Sequence, residues 1–170
     1  MNKLLFAFFL CLLSACATQN TGPSASARLS PTKGNAANGS VTFTQSGGKV
    51  LVVAEIRELK PNAEHGFHIH EKGDCSSGDG MSTGGHFNPT TQSHGAHGSA
   101  SHHVGDLPSL VADANGVAKL NFETSGISIE GGSASIVGRG LIVHRDPDDY
   151  KTQPTGNSGP RIACAVIGKN

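Results

Sequence analysis

The chain has little aromatic content and no net charge. Its 170 residues include no tryptophan and one tyrosine, and 13 basic side chains balance 13 acidic ones. A nucleic-acid-binding domain carries a clustered excess of lysine and arginine, and this composition has no such excess. We therefore predict no nucleic-acid partner, and the net charge alone indicates no other partner.

Long hydrophobic runs are also missing. The apolar run from Leu4 to Leu13 follows Lys3 and precedes small residues, and it is too short for a transmembrane helix, which needs about 20 residues. A basic start, a short apolar stretch and small residues are the order of an export signal. We predict that residues 1–15 form a signal peptide.

The end of this leader, Leu13-Ser-Ala-Cys16, resembles a bacterial lipobox. In such a leader the cysteine is acylated and becomes the first residue of the mature protein, so we expect a lipid anchor on Cys16. Ala17 at the next position resembles the outer-membrane sorting pattern, which predicts a lipoprotein of the bacterial periplasm and cell envelope. The alternative is ordinary secretory cleavage after Ala17, because Ala15-Cys16-Ala17 fits the small-x-small pattern.

Cysteine is scarce, and its positions are informative. Cys11 leaves with the leader and Cys16 takes the lipid, so Cys75 and Cys164 remain. In an oxidising compartment such a pair is expected to form a disulfide, although two buried thiols are the alternative.

Residues 16–26 are polar or small and show no apolar period, as in a solvated tether. Residues 27–170 then suffice for one domain with a single core. Short runs of alternating apolar and polar residues, such as Lys49–Arg57, are bounded by glycine, asparagine or proline and indicate strands. No long stretch keeps helical spacing. The pattern predicts an all-β sandwich or small Greek-key barrel, with long functional loops over residues 70–104 and 144–160.

Nine histidines concentrate in the middle of the chain. Neutral imidazole is the commonest protein ligand for copper and zinc, so we expect the function to lie there. Because side chains two apart on a strand share a face, His68 and His70 can reach one metal ion. His144 ends another apolar strand and can bring a third nitrogen, and the glycines before His86 let the backbone approach closely.

Four motifs in this order along the chain resemble the copper/zinc superoxide dismutase family. They are His65-Gly-Phe-His68-Ile-His70-Glu71, Gly85-His86-Phe-Asn-Pro89, His103-Val-Gly-Asp106-Leu107 and Gly156-Asn-Ser-Gly-Pro-Arg161-Ile-Ala-Cys164. The resemblance covers residues 27–169 and implies an eight-stranded antiparallel Greek-key barrel or sandwich of immunoglobulin-like architecture. Extra residues before His86 and a shortened segment before Arg161 resemble the bacterial periplasmic members.

The resemblance implies one copper and one zinc ion per subunit. It makes His86 a ligand of both ions and Asp148 the link between a copper ligand and a zinc ligand. The copper ligands would be His68, His70, His86 and His144, and the zinc ligands His86, His94, His103 and Asp106.

The implied reaction is the dismutation of superoxide to oxygen and hydrogen peroxide. In this reaction His86 would carry a proton and Arg161 would orient the anion. The alternative is a lipid-anchored copper- and zinc-binding protein without catalysis, although such a relative would be expected to have lost ligands or Arg161. The sequence leaves the choice between a monomer and a homodimer open. His65 is expected to be structural, and His97 and His102 to be exposed loop residues.

Overall fold

The computed structural model describes residues 22–170, whose regular secondary structure is almost entirely β-strand. Helical structure in this part of the chain is limited to a 3₁₀ turn at Met81–Thr83. The strands are β1 (Ser24–Pro31), β2 (Asn38–Ser46), β3 (Lys49–Arg57), β4 (Glu64–His65), β5 (Phe67–His70), β6 (Leu110–Val111), β7 (Ala118–Thr124), β8 (Gly140–His144), β9 (Arg161–Val166) and β10 (Gly168–Lys169).

Eight of these strands form one antiparallel sheet. Its order is β5-β8-β9-β1-β2-β3-β7, with β10 paired to β1, while β4 and β6 form a separate pair. The first part of β1 pairs with β2, and its end at Ser30 and Pro31 pairs with β9. Some neighbours are consecutive in sequence, such as β1 and β2, whereas others, such as β1 and β9, are distant, as in Greek-key connections. The all-β, eight-stranded antiparallel fold predicted from the sequence is confirmed.

The core forms because alternate side chains of the strands point to one side of the sheet. In β3, Val50, Val52, Ala54 and Ile56 are buried and their neighbours are more exposed, as expected for a strand with one solvated face. Strands β5 and β8 differ, since every residue of both is buried. Their second face is covered by loops, and that covered face carries histidines.

The first strand begins earlier than the sequence suggests. β1 starts at Ser24, so residues 24–26, which the sequence analysis assigned to the tether, belong to the sheet. Ala25 is fully buried and pairs with Phe43. The error arises because serine and alanine alternate there, and a side chain as small as alanine gives a weak apolar period. The predicted signal peptide, Cys16 and the earlier part of the tether lie outside the described residues.

Two long segments without regular strands carry the residues that surround the histidines of β5 and β8. The first, residues 71–109, lies between β5 and β6, and the second, residues 145–160, joins β8 to β9. They correspond to the two predicted functional loops. In residues 22–170 no helix has the length and apolar character needed to cross a membrane.

A disulfide between Cys75 and Cys164 ties the first long loop to β9 and confirms the predicted pair. The two cysteines are 89 positions apart, and their Cα atoms lie 6.0 Å apart. In the chain-entropy model, closing a loop of this length stabilises the folded state by about 4 to 5 kcal/mol at best. The bond therefore fixes the loop that precedes His86.

Candidate metal centre

Four histidine rings meet where β5, β8 and the first long loop come together. His68 and His70 lie on the loop-covered face of β5, while Ile69 between them enters the core. His144 ends β8 at a register shift in its pairing with β9. His86 pairs through its backbone with His70. Strand alternation and one bridge thus bring together residues that are far apart in sequence.

Two groups of potential ligands result, and every member is buried. The four-histidine cluster contains His68, His70, His86 and His144, and the mixed cluster contains His86, His94, His103 and Asp106. In each group one ligand atom per residue lies within 4.8 Å of the others. His86 belongs to both groups, so the two possible metal positions are neighbours.

In the four-histidine cluster, each outer nitrogen has a partner that orients the ring. His70 Nδ1 donates to the Gly84 carbonyl at 2.9 Å, and His144 Nδ1 donates to the Gly159 carbonyl at 3.1 Å. His68 Nε2 donates to Asp148 Oδ2 at 2.7 Å. Such partners fix the ring tautomer and direct the other nitrogen toward a metal.

The remaining nitrogens of this cluster are buried without partners. They are His68 Nδ1, His70 Nε2, His86 Nε2 and His144 Nε2. Buried polar atoms are rarely left unsatisfied, because losing water without a replacement bond costs free energy. Four convergent imidazole nitrogens are a donor set that suits Cu(II), which favours a square-planar or tetragonal arrangement of nitrogen ligands. The residues present therefore fit a copper ion.

The mixed cluster is built around the carboxylate of Asp106. Its Oδ1 accepts from His86 Nδ1 at 2.8 Å and lies 3.4 Å from His103 Nδ1, and its Oδ2 lies 3.1 Å from His94 Nδ1. The backbone amides of His103 and Gly95 donate to Oδ2 and hold the carboxylate in place. Three imidazoles and one carboxylate form a donor set that fits a tetrahedral zinc ion.

Asp148 connects the two clusters from outside. Its Oδ2 accepts from His68 Nε2 at 2.7 Å, and its Oδ1 accepts from His94 Nε2 at 2.9 Å. The backbone amide of Tyr150 also donates to Oδ1, at 2.7 Å. Both oxygens are engaged, so this carboxylate orients one ring of each cluster.

The charges of these groups follow from burial and from the two aspartates. Burial, together with neighbouring imidazoles, lowers the pKa of His70 and His144, and burial lowers the pKa of His86 to about 4. Burial also opposes charge on His94, but Asp106 and Asp148 outweigh it and raise its pKa to about 9. His70, His86 and His144 are therefore neutral near pH 7, and their unpaired nitrogens carry the lone pairs that a metal needs.

The same histidines affect the two aspartates. Burial disfavours the carboxylate form of Asp106 and Asp148, but hydrogen bonds from the rings hold both pKa values well below the usual range. Both side chains are negative at neutral pH. The mixed cluster therefore contains the negative charge that a divalent cation would neutralise.

Arg161 lies beside the four-histidine cluster and is held by the first long loop. Its Nη1 donates to the Gly80 carbonyl at 2.6 Å and to Thr83 Oγ1 at 2.8 Å, and its Nη2 donates to the Gly84 carbonyl at 2.7 Å. Gly84 is also the acceptor for His70 Nδ1. Partial burial lowers the pKa of this guanidinium from its ordinary value, yet arginine stays charged at any working pH.

The structure brings together the residues that the sequence analysis grouped, and which ion each cluster holds stays a prediction. Asp148 lies where it was expected, between His68 and His94. His65 lies outside both clusters. It is buried, and its Nδ1 donates to the His144 carbonyl at 2.9 Å, which agrees with a structural role.

Sequence reasoning missed several residues that support the site. The side chain of Gln153 makes two hydrogen bonds to the backbone of His94. Its Oε1 accepts from the His94 amide at 2.8 Å, and its Nε2 donates to the His94 carbonyl at 3.0 Å. Gly156, at φ +64, leaves room for Asp148 and His94, because a Cβ there would overlap Asp148 Oδ1. The Gly84 carbonyl serves both His70 and Arg161. A backbone carbonyl that accepts a hydrogen bond, or a space left free by a glycine, cannot be recognised from a single sequence, because neither depends on the identity of a functional side chain.

Comparison with known proteins gives a consistent result. The family described as copper/zinc superoxide dismutase (SODC) matches residues 37–167. A protein of Paramecium bursaria Chlorella virus 1, named superoxide dismutase [Cu-Zn], is 45% identical over 136 residues, which cover 76% of this chain and 72% of that protein. A protein of the same name from Saccharomyces cerevisiae is 44% identical over 145 residues, which cover 80% of this chain and 93% of that protein.

A solved structure is similar as well. The crystal structure of the clock protein EA4 aligns with a TM-score of 0.78 and 44% sequence identity, covering 87% of this chain and 96% of that one. The region that the family matches, residues 37–167, includes both ligand clusters and both long loops.

Proposed function

The chain belongs to the copper/zinc superoxide dismutase family, and from its leader sequence we propose that it protects a bacterial cell envelope from superoxide. The enzyme is a superoxide dismutase, and its cofactors are copper and zinc. The envelope location, the ligand assignment and the role of each residue are the parts of this proposal that go beyond the family.

The four-histidine cluster would hold the copper ion and the mixed cluster would hold the zinc ion. The unpaired buried nitrogens of His68, His70, His86 and His144 support the first assignment. The Asp106 carboxylate supports the second, since zinc accepts oxygen together with imidazole nitrogen. Copper, when bound, supplies the one-electron exchange with superoxide. Zinc, which has no redox chemistry, would supply a fixed positive charge beside His86, whose Nδ1 is held by Asp106.

His86 carries a proton during the cycle. Its Nδ1 is held on the Asp106 side at 2.8 Å, and its buried Nε2 faces the four-histidine cluster without a partner. When Nε2 is free, the ring can accept a proton there and give it to the departing peroxide. A general acid positioned within the ligand set typically contributes about 10²-fold or more to rate.

Arg161 binds and orients the anion. Two of its nitrogens are fixed by carbonyls on the first long loop, so the guanidinium does not have to be ordered when superoxide arrives. A fixed positive donor stabilises the negative charge of superoxide and of the peroxide that forms. The disulfide keeps the loop that supplies those carbonyls close to β9.

One observation carries the proposal: the two ring nitrogens of His86 face different clusters. The test is superoxide removal by purified protein loaded with copper and zinc, measured with and without cyanide. We expect rapid, cyanide-sensitive removal that is lost when copper is withdrawn, and a fall of roughly 10²-fold or more in His86→Gln. A folded protein that holds both metals and removes no superoxide would instead be a metal-binding protein without catalysis.

The envelope location rests on the leader. Residues 1–15 form the signal peptide, Cys16 carries the lipid, and a tether from residue 16 to residue 23 leads to a domain over residues 24–170. The disulfide between Cys75 and Cys164 supports export, because such bonds persist in oxidising compartments and are rare in the cytosol. The tether ends one residue before β1, so the domain can sit close to a membrane surface.

A further inference from the structure

Two histidines, His97 and His102, lie outside both ligand clusters. They sit on the first long loop between His94 and His103. Both side chains are half-buried, so the prediction that they are exposed is wrong. Their ring centroids are 5.5 Å apart, with an angle of 54° between the planes. The His97 ring also packs edge-on against Phe122, with 5.2 Å between centroids. The pair is therefore held in place by the fold, although dismutation does not use it.

Both rings are oriented by backbone carbonyls. His97 Nδ1 donates to the Asp106 carbonyl at 2.9 Å, and His102 Nδ1 donates to the His103 carbonyl at 2.7 Å. These bonds place the ring proton on Nδ1 and leave a lone pair on Nε2 of each ring. Within residues 22–170, neither Nε2 atom has a hydrogen-bond partner.

Metal-ligating histidines share this arrangement, although His65, which lies outside both clusters, has it as well. His70 and His144 in the four-histidine cluster likewise donate Nδ1 to a carbonyl and present an unpaired Nε2. Donation of the outer N–H to a carbonyl raises the basicity of the ligating nitrogen and fixes its direction. His97 and His102 thus have the hydrogen bonding of ligands without belonging to either cluster.

The mixed cluster shows how far apart two rings lie when they can share one ion. Its three ring pairs have centroid separations of 5.3, 5.5 and 5.5 Å. The pair His94 and His103 is separated by 5.5 Å at 57°, close to the 5.5 Å and 54° of His97 and His102. With metal–nitrogen bonds of about 2.0 to 2.1 Å, this spacing allows one ion to be bound between two rings.

We propose that His97 and His102 form an auxiliary binding site for a divalent zinc or copper ion. Two imidazole nitrogens supply the protein ligands, and water completes the coordination shell. Zinc and copper ions bind well to imidazole nitrogen, whereas magnesium and calcium ions prefer oxygen ligands. Residues 93–102 contain no lysine or arginine, so no cation of that segment opposes the ion.

The site has a structural connection to the zinc side of the catalytic centre. The carbonyls that orient its two rings belong to Asp106 and His103, both members of the mixed cluster. An ion at this position would hold the loop that carries those residues. The proposal concerns binding and does not depend on the dismutation reaction.

The test is a titration of zinc into untagged protein that already contains one copper and one zinc ion per chain, as shown by native mass spectrometry. We expect a third equivalent to bind. His97→Gln and His102→Gln should each weaken that binding by roughly tenfold or more, the scale seen when a metal site loses a supporting group. Ser101→Ala, an exposed change on the same loop, is the matched control and should bind the third equivalent as the unchanged protein does.

A second measurement in the unchanged protein covers the case in which a variant folds poorly. Adding zinc to the fully metallated protein should shift the ring-proton NMR signals of His97 and His102 and leave those of the other histidines in place. The absence of a third equivalent would overturn the proposal. So would a third equivalent that both histidine variants retain, or one that leaves these two ring signals unmoved.

Discussion

At the scale of single residues, the site depends on which nitrogen of each histidine faces inward. The sequence predicts which histidines gather, because strand alternation places His68 and His70 on one face. It does not predict that His68 turns Nδ1 inward while His70 turns Nε2 inward. That difference is set by acceptors far along the chain, the Asp148 carboxylate and the Gly84 carbonyl. The role of Asp148 was predicted through the family resemblance, whereas the role of the Gly84 carbonyl could not be predicted from the sequence.

The role of Arg161 is tested at this scale. In Arg161→Ala we expect both metals to bind, because no cluster member depends on the guanidinium for its own hydrogen bond. Superoxide turnover at low ionic strength should fall by roughly tenfold or more, a loss of about 1.4 kcal/mol of transition-state stabilisation. Pulse radiolysis of the metal-loaded variant measures this rate.

Two companion variants separate local orientation from general charge. Arg161→Lys keeps the charge but has no planar fork for the carbonyls of Gly80 and Gly84, so it should recover only part of the rate. Lys119→Ala removes one exposed positive charge from β7 and should leave the rate nearly unchanged. Turnover in Arg161→Ala equal to that of the unchanged protein would show that the arginine has no part in catalysis.

At the scale of elements, the metal centre is built from two strands and two loops. β5 and β8 supply three ligands, and their alternation could be predicted from sequence. The first long loop supplies the other four ligands, and the second contributes Asp148. The paths of the loops depend on contacts that no local pattern shows, such as the two hydrogen bonds between Gln153 and the backbone of His94. Gly156 illustrates the same limit, since its importance comes from the space it leaves beside Asp148.

A pair of glycine substitutions tests whether that space matters. Gly156 and Gly34 both have positive φ, of +64 and +80, so alanine should cost each about 1 to 2 kcal/mol of backbone strain. Only at Gly156 would the added Cβ overlap Asp148 and approach His94, whereas at Gly34 it meets nothing within 4 Å. We expect Gly156→Ala to weaken zinc binding by roughly tenfold or more, measured by competition with a chelator.

Gly34→Ala should retain zinc with unchanged affinity and show only the lower stability. Equal zinc affinities in the two variants, at equal stability, would mean that Asp148 and its contact with His94 do not support the zinc side of the centre.

At the scale of the whole molecule, the all-β architecture follows from the sequence because alternating apolar runs and glycine-rich turns occur along the whole domain. The start of the domain could not be predicted in the same way. Ala25 is fully buried, but its side chain is too small to give a clear apolar signal among the serines around it. The pairing of Cys75 with Cys164 could be predicted by elimination. The order of strands in the sheet could not be predicted from local patterns, since it joins β1 to β9 and β10 across most of the chain.

The proposed membrane attachment concerns the full-length chain with its leader. Bacteria that express the full chain should incorporate radiolabelled fatty acid into it, and intact-mass measurement should find Cys16 as the first residue. Cys16→Ser should abolish the label and release the protein from the membrane fraction without changing the folded domain. A mature protein that starts at Thr18 and carries no label would show ordinary secretory cleavage instead.

The central claim is that one imidazole ring, that of His86, joins the two metal ions. The most direct measurement is a crystal structure of the oxidised, fully metallated protein with anomalous data collected at the copper and zinc absorption edges. We predict a copper peak bonded to His86 Nε2 and a zinc peak bonded to His86 Nδ1. A His86 ring that contacts only one of the two ions, or neither, would contradict the account.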